Sequence, residues 1–176
     1  MIPNIIAPTP GYTPGLGRLV CMLTHVRHTL LSAVGGLSPA EFDHLHDPES
    51  NSIGALLAHA AAVEHWFQIL TFEGYEPSDD DIADRLPALD LGERGRREIR
   101  GRELLFYLDE LSRTRQTTLA SLAKQDDQWL ESKLAAKPDW NAHWAWFHVI
   151  EDEIGHCAQI RWLRARLPQN PGASAS

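Results

Sequence analysis

Cysteine is scarce in this sequence. Only Cys21 and Cys157 occur among 176 residues, too few for a disulfide framework, so both read as reduced thiols of a cytoplasmic protein. Basic charge is also short: 16 Lys and Arg stand against 24 Asp and Glu, a formal net charge of -8. Phosphate contacts need Lys and Arg, so the balance argues against a nucleic-acid partner. No apolar run reads as approaching the roughly 20 residues of a membrane span, so no membrane partner is expected. The start of the chain, Pro-rich through Pro14, lacks the basic residues and long apolar stretch of a secretion signal. What is abundant is apolar residues at 43%, with nine His and six Trp. That composition fits one globular domain with a real core.

Helical spacing dominates the apolar pattern. Leu16, Leu19, Val20, Leu23, Val26, Leu30, Leu31 and Val34 predict a first long helix stopped by Gly35-Gly36. Ser38, Pro39 and Glu41 read as cap, first-turn Pro and capping-box acid of a short helical turn, followed by a polar loop from Asp43 to Asn51. Ser52 opens a second long helix with the stripe Ile53, Leu56, Leu57, Ala60, Val63, Phe67 and Leu70, ending near Gly74. A polar connection with the acidic run 79–81 and the basic run 94–102 leads to a third helix, Leu104 to Leu122; the basic run reads as its solvated start. The segment 126–139 precedes a fourth helix, from Asn141 to Leu167, closed by Pro168. Strand alternation and internal repeats are absent. The expected fold is all-α, a four-helix bundle over 14–168 with an arm at 1–13 and a disordered tail at 169–176. The connection between helices two and three, about 25 residues, is long enough to cross the bundle and leave them parallel.

Two helices carry polar side chains where apolar ones are due. On helix four, His148, Asp152 and His156 recur every four residues. Each step of four advances about 40° around the axis, so the three share a narrow stripe. His59 stands on helix two among small residues, one turn from Leu56 and Val63. Two imidazoles and a carboxylate from facing helices suit a divalent transition metal and leave coordination positions for water or substrate. Plainer readings also hold: His59 as a hydrogen-bonded core histidine, and Asp152 with His156 as an i,i+4 pair. By spacing, Glu153 with His156 and His25 with His28 are further pairs. The helix-one pair, His44 and His46 read as structural or solvated, and the Trp set as core and interface.

Residues 52–59, Ser-Ile-Gly-Ala-Leu-Leu-Ala-His, running on to Glu64-His65-Trp66-Phe67, and residues 148–156, His-Val-Ile-Glu-Asp-Glu-Ile-Gly-His, running on to Gln159-Ile160, resemble the DinB-like superfamily of metal-binding helical bundles. The order and spacing of the helices match over roughly residues 14 to 168. The resemblance implies an up-down-down-up bundle and a metal held by His59, Asp152 and His156. The acidic first ligand on helix four resembles the mycothiol-dependent maleylpyruvate isomerase branch, so a thiol S-transferase or thiol-dependent isomerase is expected. Zinc or nickel is the leading metal, with manganese and iron as alternatives, and a low-molecular-weight thiol is the expected cofactor. Glu151, Glu153, His148 and Gln159 are then candidates for orienting the ligands or moving protons. The same donor set also fits a metal-dependent hydrolase or oxygenase, or a non-catalytic, metal-stabilised binding bundle. A small-molecule substrate and a homodimer complete the expectation.

Overall fold

Three of the four long helices begin where a side chain satisfies their free N–H groups or where Pro makes one unnecessary. In the computed structural model, which describes residues 4–168, the helices are α1 (Pro14–Ser32), α2 (Pro39–Phe42), α3 (Ile53–Gln68), α4 (Leu86–Asp90), α5 (Gly92–Glu98), α6 (Leu104–Leu122), α7 (Asp127–Glu131) and α8 (Ala142–Arg164). Ser52 Oγ accepts from Ala55 N at 3.1 Å to open α3, and Asn141 Oδ1 accepts from Trp144 N at 2.8 Å to open α8. The start of α1 is capped from a distance: the Asp127 carboxylate of α7 accepts from the Gly15 and Leu16 amides, both at 3.0 Å. The end of α3 widens into one π turn, Ile69–Glu73, where Gly74 N reaches Ile69 O at 3.1 Å and Gly74 takes φ +84°.

The described residues are all-helical, with a single isolated bridge between Lys133 and Asn141. Two expectations need correction. The basic run is not the start of the third long helix: α5 stops at Glu98, and the chain turns through Ile99 and Gly101 before α6 begins at Leu104. The expected absence of a span-length helix also fails, because Ile53–Glu73 is 21 residues and apolar enough by length and composition. Of that helix's most apolar window, 72% is buried inside the molecule, so its apolar surface already has a partner. The tail expected at 169–176 lies outside the described residues.

The long helices pack mutually, α3 against α6 and α8, and α1 against α8 and α6. Gly54 marks the closest approach of α3 to α6, since a Cβ there would collide with the Tyr107 hydroxyl. Apolar side chains collect in two clusters. One centres on Leu16, Leu19, Leu23, Phe67, Leu70 and Trp146, the other on Leu30, Phe42, Ile53, Leu56, Leu111 and Ile160. Between them lies a buried ionic layer to which each long helix contributes one charge. Arg27 (α1) donates to Glu64 (α3) at 2.8 Å and to Glu153 (α8) at 2.6 Å; Arg115 (α6) donates to Glu64 at 2.7 Å and to Glu153 at 3.0 Å. The Thr118 hydroxyl donates to Glu64 at 2.6 Å, and spare guanidinium donors reach the Leu111 and Leu23 carbonyls. Two cations and two anions cancel, and their polar atoms are partnered, which is what lets charge survive burial.

Removing one member strands the others. Glu64→Gln is expected to destabilise the protein by about 3–5 kcal/mol in urea denaturation. A Glu64→Leu/Arg115→Met pair should cost less than the two single changes added together. Burial pushes the Glu64 carboxyl up, but Arg115 and Arg27 outweigh it and hold the group below its ordinary value of 4.5. The folded state then takes up protons less readily than the unfolded chain. Its stabilising share is full above pH 4.5 and is lost as pH falls through the lowered folded value, so circular dichroism should show acid unfolding setting in below that point.

Candidate metal centre

Helix α3 presents His59 and helix α8 presents Asp152 and His156, one turn apart, across the seam between the two helices. Ala60, Ala61 and Ala62 next to His59 keep this stretch of α3 slim. One ligand atom from each of the three residues lies within 4.8 Å of the others. His156 Nε2 is 3.2 Å and His59 Nε2 3.6 Å from Asp152 Oδ1, and the imidazole rings meet edge to face at 4.7 Å. Their side chains are 12–16% exposed, sheltered but reachable.

The second nitrogen of His59 decides what the cluster can hold. His59 Nδ1 lies 2.8 Å from the Ala88 carbonyl of α4, a group that only accepts, so Nδ1 carries the proton and donates. In the neutral imidazole, Nε2 is then a lone pair aimed at the Asp152 carboxylate. Two acceptors at 3.6 Å repel unless a positive charge lies between them. Burial pushes the Asp152 carboxyl up, but the His156 and His59 imidazoles beside it outweigh this and hold it well below the usual carboxylate range. The group is an anion ready to bind a cation. Two donors at about 2.0–2.1 Å on a tetrahedral metal sit about 3.3 Å apart, close to the separations found here. The donor set therefore fits a divalent cation, with a backbone carbonyl orienting one imidazole from behind, as outer partners of metal-bound histidines do. His156 Nδ1 is buried and has no hydrogen-bond partner among the described residues.

The other candidate residues fall elsewhere. His148 stacks on Trp144 at 5.2 Å, meets the edge of Phe67 at 5.6 Å and pairs with exposed Glu151 at 3.1 Å, outside the three-residue group. Glu153 turns away from the three donor residues: both its oxygens are occupied by Arg27 and Arg115, so the orienting role read from its position is replaced by membership of the ionic layer. Gln159 is exposed, one turn beyond His156. His25 borders an apolar groove with Met22 and Ile154, His28 is exposed, and His46 packs edge-on to Trp162. Trp146 is fully buried in the first apolar cluster, with Trp66, Trp129 and Trp140 packed against it.

Sequence reasoning passed over Arg27, Glu64 and Arg115, although a charge inside each helix's apolar stripe was the available signal. It also missed Ala88, for which no side-chain signal exists. A cavity of about 400 Å³ between α3, α4, α5 and α6 is lined by Ala58, Ala88, Arg102 and Phe106, but by none of the three donor residues. Cys157, next to His156, is buried, and burial pushes its thiol up despite Arg161.

Comparison with known proteins places the chain. A family model described as mycothiol-S-transferase matches residues 18–169. No curated protein matches. The match covers α1 from residue 18, all of α3, α6 and α8, and both segments that carry the three donor residues. The chain thus belongs to the mycothiol-S-transferase family, within the DinB-like superfamily.

Proposed function

We propose that the protein is a divalent-metal-dependent thiol S-transferase that joins a low-molecular-weight thiol, mycothiol in the first instance, to a small electrophilic substrate. The observation that carries this reading is the facing pair of acceptors, His59 Nε2 and Asp152 Oδ1, 3.6 Å apart, with Nδ1 committed to Ala88. A divalent cation held by His59, Asp152 and His156 supplies Lewis acidity that keeps a bound thiol as its thiolate near neutral pH. The chain's own part is to hold and orient. Asp152 provides the anionic ligand, Ala88 O fixes the His59 tautomer, and three protein ligands leave room for a fourth. The reacting sulfur comes from the small molecule, and the Cys157 thiol beside His156 stays buried. With its nitrogen-rich donor set, zinc or nickel suits the site ahead of manganese or iron. His148 with Glu151 is the remaining candidate for proton transfer, since the pair is solvent-reachable one turn before Asp152.

The same reading covers the architecture. Gly54 with Tyr107, Glu64 with Arg115 and Gln68 with Thr118 pair in rising order, which supports parallel α3 and α6. Arg27 with Glu153 and Ala33 with Arg164 do the same for α1 and α8. His59 with His156 and Phe67 with His148 run in opposite order, as antiparallel α3 and α8 require. These pairs support an up-down-down-up four-helix bundle over 14–168, with α4 and α5 in the crossover. Exposed Ile6 and Ile154 border one apolar groove of α1 and α8 and support a homodimer. The free thiols Cys21 and Cys157 suit a cytoplasmic setting.

Untagged protein is expected to retain about one divalent metal per chain by elemental analysis. His59→Ala, Asp152→Ala and His156→Ala should each lose it and reduce mycothiol conjugation to the uncatalysed rate, while Glu151→Gln keeps the metal. Unchanged metal content and conjugation in His156→Ala would refute the assignment. Sedimentation equilibrium is expected to give twice the 19.7 kDa chain mass, and Ile154→Asp the chain mass alone.

A further inference from the structure

Three alanines on α3 leave a space that the crossover roofs without filling. Ala58, Ala61 and Ala62 line the cavity of about 400 Å³ that α4, α5 and α6 close, and none of the three donor residues lines it. Its volume lies in the range of small-molecule sites, about 300–1,000 Å³. Leu57, Ala61 and Ala88 give it apolar surface, each at most 7% exposed. The crossover around it is anchored rather than loose. Leu91 and Ile99 pack on the second apolar cluster, the Gly92 amide donates to Asn51 Oδ1 at 3.1 Å, and the Arg96 guanidinium donates to the Glu49 carbonyl at 2.8 Å.

The charged side chains of the lining are engaged with one another or with neighbours, except one. Glu110 is 3.3 Å from Arg85 and 3.2 Å from Arg113, and Asp84 is 3.9 Å from Arg85. Glu98 is 2.7 Å from Arg97 and 3.6 Å from Arg94; behind them Arg94 also pairs with Asp90, and Arg113 with Asp109. Asp43, whose charge acts on Tyr107 of the lining, accepts from the Gly101 amide at 2.7 Å and does not line the cavity. Nor do exposed Arg100 and Glu103. Arg102 is the exception. Its guanidinium lies 4.9 Å from the centroid of the Phe106 ring, and among the described residues it has no carboxylate within 4 Å. Stacked in this way, it keeps its N–H fork free for a planar anion.

This combination is selective. A purely apolar ligand would leave Arg102 unused, and a cation would be brought against it while the nearby carboxylates are already neutralised. A second negative charge on a ligand would meet Glu98 or Glu110. One carboxylate on an apolar body uses both parts, the guanidinium at the opening and the alanine-lined surface within. We propose that this cavity is a second binding site, for a hydrophobic monocarboxylate whose body lies against Ala58 and Ala61 and whose carboxylate is held by Arg102. The site is separate from the metal centre, and its occupant is neither the thiol nor its acceptor.

Isothermal titration calorimetry of the full chain with 4-phenylbutyrate tests this, before and after chelator treatment and in His156→Ala. One saturable site is expected in all three, because no donor residue lines the cavity. Arg102→Gln should weaken binding about tenfold, as loss of a charge-assisted pair requires, and Ala58→Leu should abolish it by filling the space. The neutral 4-phenylbutyramide should bind about tenfold more weakly than the acid, and 4-phenylbutylamine not at all. No saturable binding of the acid, or an amine that binds as well as the acid, would overturn the site. Binding that disappears with the metal while circular dichroism stays native would place the probe on the metal instead and overturn it equally. Arg102 is exposed, so wild-type affinity in Arg102→Gln overturns the site even where Ala58→Leu fails to fold. Thiol transfer stands or falls separately, on the metal content and conjugation of the donor variants.

Discussion

The four guanidinium–carboxylate bridges that link Arg27, Glu64, Arg115 and Glu153 are the constraint on which the rest of the molecule depends. Apolar helix faces alone are permissive, because Leu, Ala and Val packings tolerate rotation and sliding with little change in buried area. Charges buried between them are not. A shift of one residue along any of the four helices would turn its charge away from the others and leave it in an apolar core. The layer sits where the two apolar clusters meet, and every long helix must supply its charge at that level. It sets register and rotation together, a task for which hydrophobic burial has no directional means.

That register places the donor cluster. Glu153 and Asp152 are neighbours on α8, about 100° apart around the axis, so directing Glu153 inward to Arg27 and Arg115 directs Asp152 toward α3. Glu64 and His59 lie on α3 and are oriented by the same pairing. The donor cluster is thus held by stiff helices locked one residue or one turn away rather than by loops, which suits a site whose ligand atoms need placing within about half an ångström. The crossover contributes as well. Ala88 brings a carbonyl to His59 and converts an ambiguous imidazole into one with a defined lone pair.

The hinge between α4 and α5 shows what that placement costs. Leu91 takes φ +53°, unfavourable for a side chain with a Cβ, and Gly92 follows with the same φ. The strain is offset by packing of Leu91 against the second apolar cluster and by the Gly92 amide donating to Asn51. The connection thereby touches His59 on one side and the turn before α3 on the other. Its length, far beyond what linking two adjacent helices requires, is used as structure around the site.

Period and caps are local properties, and they made the four long helices legible: apolar spacing over 16–34, Ser52 before α3, Asn141 before α8 and Pro168 after it. The three donor residues of the cluster were legible for a related reason. Histidine and aspartate on otherwise apolar stripes break a local pattern, and spacing along α8 sets which of them share a face. Other assignments depended on partners distant in the chain. Glu153 and Asp152 are adjacent carboxylates that spacing cannot rank, and only the positions of Arg27 and Arg115 separate a core ion pair from a member of the donor cluster. Ala88 gives no sign of its role, because a backbone carbonyl is common to every residue. The sequence by itself determined the helices and the donor chemistry; tertiary structure decided which charges pair, which lone pairs face each other and where the pocket opens, because each depends on distances between segments that the chain's local order does not set.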